Sequence, residues 1–193
     1  MAVDVVGAFQ APATEQSWMN KVVIGGLVNI VPVVNFIAMG YSLKYFEGLL
    51  SGTNEHLPEW QGWGDLFMIG LKAFIVTLIY MVGVIIIGAL GTILGGILGG
   101  ILAFLIFLGT MFLLPVAMVR FVSAGFDIAA ALAFKDVYEM ARSKLDEYLI
   151  VYAVIVGCSL LISAVASIPV VGWIFGSFAF FYLMLVFCNL LTD

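Results

Sequence analysis

Hydrophobic positions in this chain come in unbroken runs, not in the alternation of a half-buried strand or the stripe of a solvated helix. Between Lys72 and Arg120 stand 47 residues without a charge, and between Glu147 and Asp193 another 45. A helix rises about 1.5 Å per residue, so either run would form a rod of roughly 70 Å against a hydrocarbon core of ~30 Å. Each run is therefore expected to cross a membrane twice, as helical hairpins over 66–119 and 148–192. Helix-ending residues stand at both midpoints: Gly95 and Gly96 within LGGILGG, and Pro169 with Gly172 in IPVVGW.

The first apolar run, Val22 to Leu43 within 18–48, is about half as long and is broken at Pro32 by the same Pro-Val-Val. Pro32 and Asn35 are read as its turn residues. Ten residues on each side of Pro32 reach only ~16 Å, which fits a re-entrant dip, while the 22 residues together also suffice for one kinked span. The lysines bear on the choice. If the long hairpins return to the side they left, Lys44, Lys72, Arg120, Lys135, Arg142 and Lys144 share one face, which the positive-inside rule makes cytoplasmic. A dip puts Lys21 on that face too.

A different pattern covers 127–147. Ile128, Leu132, Phe134, Tyr138, Ala141 and Leu145 are set against Lys135, Asp136, Glu139, Arg142, Asp146 and Glu147, with Asp127 as N-cap. This predicts one amphipathic helix on the membrane surface, with Phe134, Tyr138 and Leu145 as its docking positions.

Composition agrees with the runs. The chain is 64% hydrophobic and 10% charged, against roughly 25% charged in soluble domains. The expected fold is an all-α integral membrane protein: a single domain over 1–193, multi-pass in the cell membrane, with most charged loops cytoplasmic and 1–17 a retained polar tail. Trp18, Trp60 and Trp63 are expected as interfacial anchors. Gly88, Gly91, Gly95, Gly96, Gly99 and Gly100 allow close helix approach, either within the hairpin or between subunits. The net charge of −5 without a basic cluster argues against nucleic acid as a partner.

Candidate chemistry is sparse. Cys158 and Cys188 lie inside apolar runs, His56 is the only histidine, and neither long run holds a carboxylate. No catalytic set, metal site or cofactor is expected, and coupled transport normally needs ionisable groups at depth. The reading that remains is a non-enzymatic scaffold or subunit that associates with lipid and with itself or another membrane protein. The alternative is a homo-oligomeric passive channel lined by Asn29, Asn35, Thr77, Thr92, Thr110 or Asn189.

Several short segments carry a family resemblance: WMNK at 18–21, PVVNF at 32–36, Gly40-Tyr41, LPEW at 57–60, GLK at 70–72, the Ala-Phe-Lys-Asp-Val stretch around Phe134, and Tyr148-Leu149. In this order the chain resembles an uncharacterised family of prokaryotic polytopic membrane proteins, a domain of unknown function. The resemblance implies a helical membrane protein and no activity.

Overall fold

Long apolar runs with no water to bond to must satisfy their backbone internally, and helices do so within one segment. The computed structural model describes residues 3–53, 56–91, 97, 99–168 and 172–192, and every regular element among the described residues is helical. In chain order these are α1 (Val5–Gln10), a 3-10 turn (Ala11–Ala13), α2 (Trp18–Ile30), α3 (Asn35–Leu50), α4 (Trp63–Ser123), α5 (Ile128–Ala131), α6 (Phe134–Ser143), α7 (Leu145–Ala166) and α8 (Val171–Leu190). Among the described residues, four stretches are long and apolar enough to cross a membrane: Trp63–Gly91, Gly99–Ser123, Leu145–Ala166 and Gly172–Leu190. With 13 and 16 residues, α2 and α3 fall short of the ~20 that a span needs.

The chain forms two units, one of residues 1–71 with 146–193 and the other of residues 72–145. In the first, α2 and α3 pack on each other and both pack on α8. Tyr41, Tyr45, Phe46, Phe181, Leu185 and Val186 are the buried centre. The link at 31–34 turns through Val33, whose φ of 72° is unfavourable for a β-branched residue; the Asn35 N–H closes the turn on the Val31 carbonyl at 3.0 Å. The start of α4 lies against α3 through two glycines. A methyl on Gly40 would stand 1.8 Å from the Leu66 carbonyl oxygen, and one on Gly70 1.9 Å from that of Phe36. Only hydrogen at both positions lets the backbones approach so closely.

The N-terminal segment departs from the polar tail expected over 1–17. Asp4 caps α1 by accepting from the Gly7 N–H at 2.9 Å. Ala8 is buried with Val151, Val186 and Leu190, while Val3, Val5 and Phe9 pack around them. Those apolar positions share one helical face too short to stand out as a pattern, yet long enough to cover the ends of α7 and α8.

In the second unit the helix expected over 127–147 is broken twice. Gly125 and Phe126 take positive φ after α4, and Asp127 caps α5 through the Ala129 N–H. The helix then stops after four residues. Continuation would give the Ala130 and Ala131 carbonyls to the Phe134 and Lys135 N–H groups, but Arg120 Nε donates to Ala130 at 3.2 Å and the Tyr80 hydroxyl to Ala131 at 2.8 Å. After the second break, at Lys144, residues Leu145, Asp146 and Glu147 belong to α7. Ala131, Val137 and Ala141 are buried, and Phe134, Tyr138 and Leu145 are exposed.

Candidate functional site

Lysine is almost never fully buried unless paired, and Lys21 is 5% exposed. It is the one charged residue among the buried described residues. An ammonium offers three donors. Here one goes to Glu15 Oε1 at 2.7 Å, one to Glu59 Oε1 at 2.8 Å and one to the Leu57 carbonyl at 2.7 Å. Three segments meet on one cation: the approach to α2, the first turn of α2, and the loop before α4.

Aromatic rings extend this joint into the core. Trp60 Nε1 donates to the Lys21 carbonyl at 3.1 Å, and its ring stacks on Tyr41 with centroids 4.0 Å apart. The Tyr41 hydroxyl donates to the Pro58 carbonyl at 2.6 Å. Phe181 of α8 lies against both rings. The loop at 57–60 is thus held by its side chains and by its carbonyls alike.

The electrostatics are those of a lock. Burial pushes the Glu15 carboxyl upward, but the Lys21 ammonium and the Ser17 hydroxyl, with the neighbouring His56, outweigh it and hold the carboxyl below its ordinary value. Burial likewise opposes the charge on Lys21, and its hydrogen bonds and attraction to Glu15 and Glu59 outweigh that and raise it. Both groups are ionised near neutrality, and every Lys21 donor is engaged. The arrangement joins segments and leaves the Lys21 ammonium no free donor.

Sequence reasoning did not find this cluster. Lys21 reads as a topology marker ahead of an apolar run, and its partners at Leu57 and Glu59 lie far along the chain. The available signal was the joint presence of WMNK and LPEW, two segments that the fold brings together.

The expected site residues fall as follows. Gly91 and Gly99, which a straight helix would hold about 12 Å apart, touch: a methyl on Gly99 would stand 1.7 Å from the Gly91 carbonyl oxygen. Gly88 faces Ala103 at ordinary contact distance, and Gly100 has nothing within 4 Å. Gly95, Gly96, Thr92 and Pro169 lie outside the described residues. Gly172 packs on the end of α7, where a methyl would stand 2.1 Å from the Val165 carbonyl oxygen. Pro32 is exposed in the link between α2 and α3, and Asn35 opens α3. Trp18 meets Tyr182 edge-on, Trp60 is packed within the joint, and Trp63 is 45% exposed. Of the polar residues considered for a pore, Asn29 donates to the Ser177 carbonyl, Thr77 to the Ala73 carbonyl of its own helix, and Asn189 to Tyr45 and the Leu185 carbonyl.

No curated protein and no solved structure matches the chain. A family model described as protein of unknown function (DUF4013) matches residues 24–171, leaving WMNK just ahead of the matched stretch and taking in LPEW and both glycine contacts of α3 with α4. The chain belongs to that DUF4013 family.

Proposed function

We propose that this protein is a non-catalytic subunit or scaffold of the cell membrane, acting by association with itself or with another membrane protein. The observation that carries the reading is the use made of Lys21. A buried ammonium whose three donors are taken by Glu15, Glu59 and Leu57 serves cohesion between segments. The four apolar stretches present broad hydrocarbon faces, such as Ile85, Ile97, Phe104, Leu160 and Phe175.

The architecture in this reading is two helical hairpins and a re-entrant pair. Contact of Gly91 with Gly99 supports a reversal within α4, and contact of Gly172 with Val165 supports one between α7 and α8. The bonds from Lys21 to Leu57 and Glu59 support the dip, because a kinked single span would put the start of α2 and the loop before α4 on opposite sides.

Two measurements on the full chain test the reading. Cross-linking in native membranes followed by affinity purification is expected to return one fixed partner, or a self-assembly of defined size. Purified protein in liposomes is expected to pass neither ions nor small solutes. Flux through homo-oligomers alone would replace the scaffold with a passive channel.

A further inference from the structure

The two spans of the first unit do not close on each other along their whole length. Between α7 and α8 lies a groove of about 260 Å³, walled by Cys158, Leu161 and Ile162 on one side and Ala179 and Leu183 on the other. Phe9 of α1 and Tyr182 of α8 complete the lining, and the Tyr182 hydroxyl donates to the Phe9 carbonyl at 2.6 Å. The one hydroxyl at the groove is thus already bonded, and the remaining wall is hydrocarbon and a thiol.

We infer that this groove holds one acyl chain of a bilayer phospholipid, with Phe9 of the N-terminal helix against it. Three features select that occupant. The walls belong to the stretches Leu145–Ala166 and Gly172–Leu190, so the groove opens at membrane depth, where acyl chains are the surrounding solvent. Its volume is far too small for a second helix, which is about 10 Å across with its side chains, while a flexible chain can lie in it along part of its length. Finally, an apolar recess left unfilled forfeits the dispersion contacts of its lining, and a methylene chain restores them without leaving a polar group unbonded. The α1 contact adds a third element to the lining, which a merely lipid-facing surface such as Leu160 lacks. The inference rests on α7 and α8 spanning the membrane, and goes beyond the scaffold reading.

The test is photolabelling of the full chain in dioleoylphosphatidylcholine vesicles, doped with a phosphatidylcholine carrying a diazirine midway along one chain. Adducts are expected to concentrate on Cys158, Ile162 and Leu183, well above those on Leu160. In Ala179→Trp they should fall about tenfold, the equivalent of two methylenes losing their burial. Cys158→Phe fills the same space from the opposite wall and should act alike, while Leu160→Trp should change nothing. Equal labelling of Leu160 and Ile162, or groove labelling unchanged in both filling variants, would leave only ordinary surrounding lipid and overturn the site while keeping the spans. Disulfide-linked dimers through Cys158 under copper phenanthroline oxidation would assign the groove to a second copy and also overturn it. Absence of adducts at every one of these positions would overturn the site and the spans together.

Discussion

The Lys21 ammonium lies 2.7 Å from the Leu57 carbonyl oxygen, across 36 residues of chain. That bond, with the ion pairs to Glu15 and Glu59, fixes where the loop before α4 meets the start of α2. Removing the cation takes the ion-pair partner from two carboxylates and a donor from the Leu57 carbonyl. Lys21→Met is expected to cost up to roughly 3–5 kcal/mol, as loss of one member of a buried ion pair does. Glu59 is 66% exposed along its side chain, so Glu59→Gln should cost about 1 kcal/mol or less, as at solvated ion pairs. Melting of purified variants in detergent reads both. Equal melting of Lys21→Met and wild type would refute the lock.

The same pair predicts a pH profile. The Glu15 carboxyl is lowered in the folded chain, so its contribution is complete above the ordinary value of 4.5 and is lost as pH falls through the lowered folded value. The Lys21 ammonium is raised, so its contribution is complete below the ordinary value of 10.5 and is lost as pH rises through the raised folded value. Thermal stability should therefore be flat between these limits and fall outside them. In Glu15→Gln the acid fall should shrink, and the alkaline fall should shrink with it to the part that Glu59 sustains. An unchanged acid limb in that variant would remove Glu15 from the account.

How far the sequence reaches depends on the range of the forces involved. Four apolar stretches were legible because bilayer thickness is a fixed ruler and run length is read directly from the chain. The break between α2 and α3 was legible through Pro32 and its apolar neighbours. The break between α5 and α6 was not, because it comes from Arg120 and Tyr80 on α4, which take carbonyls that a local reading assigns to the helix. The Lys21 joint was hidden for the same reason. A pairing between an apolar run's first cation and a loop 36 residues away leaves no periodic trace. The packing of α1 was missed because one face of a six-residue helix is too short to register as a pattern.

Sidedness can be tested with single cysteines on a background lacking Cys158 and Cys188. Positions Gln16, Thr53 and Ser143 are expected to react with an impermeant maleimide from the cytoplasmic side only. Ile168, which is 55% exposed near the end of α7, should react from the other side only. Gly172 is the poorer reporter, since any side chain there meets the Val165 carbonyl. Reaction of Gln16 from the same side as Ile168 would restore the kinked single span in place of the dip.

Two neighbouring glycines on α4 should respond in opposite ways. A methyl on Gly99 would stand 1.7 Å from the Gly91 carbonyl oxygen, whereas one on Gly100 meets nothing within 4 Å. Overpacking of a closed contact costs about 1–3 kcal/mol, while exchanging an open helical glycine for alanine gains about 0.5–1 kcal/mol in backbone entropy. Gly99→Ala should therefore melt lower than wild type in detergent, and Gly100→Ala at or slightly above it. Gly91→Ala should resemble Gly99→Ala, because the two glycines form one contact from its two sides. Oligomer mass separates packing within the chain from packing between chains. It should stay constant in Gly99→Ala, whereas a change of mass in Gly100→Leu would mark the open glycine face as the surface on which copies meet. Wild-type melting in both Gly91→Ala and Gly99→Ala would mean that the two backbones do not touch, and the reversal within α4 would lose its support.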